Sequence, residues 1–108
     1  MVGTGQRYFK GTETEVKNEI KANTLTFFMS GLSTDEQAAA FLKKSQAYSK
    51  SFAMTIAAPV NGQRECKINF IGAPNVKWVL RFFLASSVSD VEQSNTKKNP
   101  NDFFKPYM

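Results

Sequence analysis

The chain has 108 residues, 42% of them hydrophobic, which is enough for one core and too little for two. Fourteen Lys and Arg against nine Asp and Glu give a formal net charge of +5, and there is no His, so the commonest general base and metal ligand is missing. The single Cys66 excludes an intramolecular disulfide and a four-ligand zinc site of Cys and His.

These counts suit a reducing, cytoplasmic setting. No apolar run approaches about 18 residues, and none follows Met1, so neither a membrane span nor a secretory leader is expected.

In chain order, Tyr8 and Phe9 predict a short strand. Glu13, Glu15, Lys17, Glu19 and Lys21 then occupy every second position, leaving Val16 and Ile20 on the other side. Val16 and Ile20 also fit one helical turn, but the alternation favours a half-buried strand. A hairpin loop over Lys21, Ala22, Asn23 and Thr24 would lead it into a strand of Leu25, Phe27 and Met29.

Ser33 followed by Thr34, Asp35 and Glu36 reads as a capping box that opens a helix over about 34–50. Ala38, Phe41, Leu42, Ser45 and Tyr48 recur at three- and four-residue spacing on its inner face. Two strands follow, carrying Phe52, Met54 and Ile56 and then Cys66, Ile68 and Phe70. A three-residue loop of Val60, Asn61 and left-handed Gly62 aligns Phe52 with Phe70, Met54 with Ile68 and Ile56 with Cys66. A two-residue loop would instead set Met54 opposite Asn69.

Pro74 breaks the chain again. From Val76 to Leu84, alternating apolar residues and aromatic enrichment favour a strand over a helix starting at Asn75. From Ser86 onward the chain is rich in Ser, Asn, Thr and Lys and reads as a linker, ending in Phe103, Phe104, Lys105, Pro106, Tyr107 and Met108. The expectation is an α+β domain over 1–85, a mostly antiparallel five- or six-stranded sheet with one helix on one face. An extended tail follows over 86–108.

No pattern supports catalysis. Cys66 sits among apolar residues that raise a thiol pKa, and the carboxylates of 13–19 alternate with lysines as a self-neutralising surface. Gly3 and Gly5 lack the strand and the Gly-Lys-Ser or Gly-Lys-Thr of a phosphate loop. No cofactor or metal is expected, and the chain reads as a non-enzymatic interaction or assembly subunit.

One helix covers one face of a sheet, and Phe28, Val79 and Phe83 lie off the main apolar rows. A partner protein or a second copy is therefore the expected cover, with Phe103, Phe104, Lys105, Tyr107 and Met108 as its anchor. The alternative is a single-stranded nucleic acid held by Lys77, Arg81 and Phe83 on one strand face, with Lys97 and Lys98. Arg contributes only three of the fourteen cations, which gives little scope for bidentate base readout.

Overall fold

In the computed structural model, which describes residues 7–30, 34–86 and 90–108, β1 (Arg7–Phe9) leads not into a strand but into α1 (Glu13–Lys21). Thr12 is the reason. Its hydroxyl accepts from the Glu15 amide while the Glu15 carboxylate accepts from the Thr12 amide, which closes a capping box. Glu13 and Lys17 pair one turn apart, and Val16 and Ile20 fall together on the inner side. The alternating charges are rows on a helix, and the expected hairpin of 13–21 with 25–29 does not form.

β2 (Thr24–Ser30) follows, with Leu25, Phe27 and Met29 buried. The next helix, α2 (Asp35–Ser45), is shorter than expected and continues as a 3₁₀ turn over Gln46–Tyr48. Its cap is Thr34, with Gln37 closing the capping box, one residue later than the Ser33 and Glu36 pattern. Ser33 lies outside the described residues.

β3 (Phe52–Ile56) and β4 (Gln63–Phe70) pair in the predicted register, Phe52 with Phe70, Met54 with Ile68 and Ile56 with Cys66. The turn differs. Asn61 and Gly62 both have positive φ, at 53° and 77°, and Val60 bonds to Gln63 in both directions, so the loop is two residues long. The residue that shifts the register is absorbed between Val60 and Ala57, as a bulge.

The run after Pro74 is α3 (Val76–Ala85), a correction to the expected strand. The Asn75 side chain caps the Lys77 amide, and Val76, Val79, Leu80 and Phe83 share an inward stripe with Phe82 beside it. An apolar run this dense satisfies both periods, and packing in the core decides between them.

The chain's end does not extend away. β5 (Val91–Gln93) and β6 (Thr96–Lys98) form a hairpin through Ser94 and Asn95, both left-handed, and β5 lies parallel to β1. Asn99 then caps α4 (Pro100–Phe104), with Pro100 in its first turn. Phe103 and Phe104 are 3% and 1% exposed. Polar composition over 86–101 concealed a fold whose apolar contribution comes from Val91, Pro100, Phe103 and Phe104.

The result is α+β: a six-stranded sheet in the order β3-β4-β2-β1-β5-β6, antiparallel except for β1 with β5. Among the described residues four α-helices accompany it where one was expected. Val16, Phe41, Phe82, Phe83, Phe103 and Phe104 from the helices join the inward strand rows in one core cluster. Among the described residues the helices thus cover one face of the sheet, and the other face lacks helical cover.

Candidate binding surfaces

Alternation along the strands dictates what the uncovered face displays. Opposite the buried rows lie Tyr8 on β1, Phe28 between buried Phe27 and Met29 on β2, Glu65 and Lys67 on β4, and Ala53 and Thr55 on β3. Tyr8 pairs with Phe28 across the strands, and their rings stack at 6.0 Å with 20° between planes. The Lys10 ammonium sits 4.1 Å from the Phe28 ring centre.

Among the described residues the Tyr8 hydroxyl is buried without a hydrogen-bond partner. Burial first, and the Glu92 carboxylate second, push this phenol above its ordinary value of 10.0. Between the ring pair and the β3–β4 turn runs an open groove of about 270 Å³, with Phe28 and Ala57 in its wall, Val60 at its rim, and Lys10 and Glu65 beside it. Val60 is 68% exposed, the highest among the large hydrophobic side chains of the described residues.

A second surface lies on the helical side. Trp78 is half-buried on α3, with the Lys77 ammonium 5.6 Å and the Arg81 guanidinium 5.5 Å from its ring centre. The Tyr48 ring stands 6.3 Å away. From Gln37 to Ser89 the chain carries seven Lys and Arg against one acid, Glu65, which faces the other side of the sheet. The whole excess of positive charge is therefore held in the middle half of the sequence.

The residues singled out from sequence are dispersed. Lys77 and Arg81 are exposed on α3, but Phe83 is fully buried against Phe27 and Phe104 and is not open to stack a base. Lys97 and Lys98 are exposed on edge strand β6 rather than beside α3. Of the expected anchor, Phe103 and Phe104 are in the core, Tyr107 is half-buried against Gln93, and Lys105 and Met108 are exposed. Burial raises the Tyr107 phenol, the Gln93 hydrogen bond opposes this, and Glu13 adds to the rise.

A strand over 76–84 would set Trp78 in the apolar row with Val76 and Leu80; on the helix it lies beside Lys77 and Arg81. Cys66 is fully buried within the core cluster. Among the described residues no group of three or more Cys, Asp or Glu is placed to hold a metal ion, and no helix is long and apolar enough to cross a membrane. No family model, no curated protein and no solved structure matches this chain.

Proposed function

We propose that this chain is a non-catalytic binding subunit that docks a protein partner on its uncovered sheet face, with an apolar side chain of the partner seated beside Phe28 and Val60. The observation that carries this reading is the groove between the stacked Tyr8 and Phe28 pair and the β3–β4 turn. Stacked aromatics offer large contact area at low entropy cost, and the exposed Val60 supplies an apolar rim. Lys10 and Glu65 border the same groove with opposite charges, which suits a polypeptide of mixed charge better than a polyanion. Phe103 and Phe104 take no part, since they are packed inside the subunit.

The test is retention of a native-lysate partner by immobilised protein carrying Phe28→Ser or Val60→Asp. Each variant is expected to release a partner that wild type and Trp78→Leu both hold. Equal retention by wild type and both groove variants would overturn the reading.

A second reading, single-stranded nucleic acid, is favoured by one observation: the Trp78 ring flanked by Lys77 and Arg81 within the acid-poor middle of the chain. There the stacking residue is Trp78 in place of Phe83, and the surface is a helix rather than a strand face.

A further inference from the structure

We propose that the cover of the bare sheet face is a second copy of this chain, stacked face to face about a two-fold axis that crosses β4 at Cys66. The inference rests on the docking reading above and names its partner. Cys66 is fully buried with its side chain inward, so Glu65 and Lys67 on either side of it stand on the bare face, and both are exposed. An axis running across the strands turns β4 antiparallel to its copy, which lays Glu65 over the partner's Lys67 and Lys67 over the partner's Glu65. An axis along β4 would instead lay Glu65 over Glu65 and Lys67 over Lys67. Charge therefore selects the first arrangement.

The apolar residues agree with that axis. Val60 in the β3–β4 turn and Ile71 just past β4 are both exposed, at opposite ends of the hairpin. Ile71 extends the ladder by its bond to Ser51 and alternates with buried Phe70, so it falls on the bare side. Rotation about Cys66 carries each end of the hairpin over the other. The partner's Ile71 then arrives at the Val60 turn, where the groove opens beside Phe28, and the two-fold repeats the contact once and closes the assembly at two copies. Between these ends β3 presents Ala53, Thr55 and Ala57 to the same side, all exposed. Such short side chains permit the approach of about 10 Å at which sheets stack.

The unaltered chain supplies the first test. Light scattering on wild type is expected to show a mass that rises with concentration to twice the 12.1 kDa of one chain. Charge reversal supplies the second. Glu65→Lys opposes cations across the junction and Lys67→Glu opposes anions, so each variant is expected to stay monomeric alone. Mixed in equal amounts, the two oppose unlike charges and are expected to regain the doubled mass. Within the chain Glu65 faces Phe28 on one neighbouring strand and Lys67 faces Thr26 and Thr55, so neither reversal breaks an ion pair among the described residues.

A wild type that is monomeric at every concentration, a dimer that survives in either variant alone, or an equimolar mixture of the two folded variants that stays monomeric would each overturn the pairing. A monomeric wild type that still holds a lysate partner through Phe28 and Val60 would overturn it and leave the docking reading standing. Failure of the docking reading itself shows separately, as equal lysate retention by the groove variants.

Discussion

The rings of Phe9 and Phe103 stack with centroids 4.6 Å apart and 21° between planes, which ties the first strand of the sheet to the last α-helix. Phe104 meets both Phe9 and Phe83 edge-on, at 6.5 and 5.4 Å, so the end of the chain closes the core. Docking to another molecule must then use surfaces other than these rings.

Phe103→Ala is expected to destabilise the chain by about 3 to 5 kcal/mol, the range for a large ring removed from a packed core. Urea denaturation followed by circular dichroism checks it. A loss below about 1 kcal/mol, the scale of an ordinary surface change, would mean that these rings add nothing to the core.

Tyr8→Phe has the opposite expectation. Among the described residues the hydroxyl is buried without a partner, and removing an unsatisfied polar group of that kind avoids a desolvation cost of about 1 to 3 kcal/mol. Stability is expected to hold or rise, and the upward-shifted phenol titration is expected to disappear from the absorbance profile. A clear loss of stability would show that the hydroxyl has a partner after all.

The α1 capping box responds to acid. Hydrogen bonds from Thr12, the backbone one first, hold the Glu15 carboxyl below its ordinary 4.5. A carboxyl lowered in the folded state contributes stability that is complete above the unfolded value and is lost as pH falls through the folded one. Wild type is therefore expected to lose part of its margin over Glu15→Gln between about pH 7 and about pH 3, read as urea midpoints. A constant margin would detach the cap from this titration.

The Trp78 surface is tested with a mixed-sequence single-stranded oligonucleotide. Trp78→Leu keeps apolar cover over the core and removes the stacking platform, so affinity is expected to fall about tenfold, within the range of one base stack. Lys77→Ala and Arg81→Ala are expected to reduce the dependence of binding on salt. Absence of micromolar binding at low salt would retire the nucleic-acid reading and leave the sheet-face reading standing.

The β3–β4 register was legible because a shift by one residue would have turned Met54 and Ile68 out of the core. The turn that produces it was not. Asn61 and Gly62 both took the left-handed conformation, and the extra residue moved into a bulge nearer Pro59. The α2 helix was legible from its acidic start and basic end, but its cap fell one residue later, because Thr34 and Gln37 form the same motif that Ser33 and Glu36 suggested.

The binding surfaces were harder to read. Tyr8 meets Phe28 only because α1 returns the chain antiparallel to β1, and a strand over 13–21 gives no basis for that register. The capping box of Thr12 and Glu15 was the local signal for this helix, outweighed by the alternation of charges. Asn99 followed by Pro100 and Asp102 was likewise an N-terminal helix signal, masked by the polar residues around it.

By itself the sequence determined the class of the protein: one core, α+β, with β1 to β4 and α2 set by apolar period and caps. Tertiary structure alone decided the identity of 76–85, the course of 90–108 and which face of the sheet stayed bare. Val76 to Ala85 satisfies both periods, and only the packing of Phe82 and Phe83 beneath the sheet separates them. Likewise, Phe103 and Phe104 look sticky in one dimension because the chain does not show that Phe9 and Phe83 stand waiting on the same side. A ring's environment is a property of long-range contact, and local pattern does not encode it.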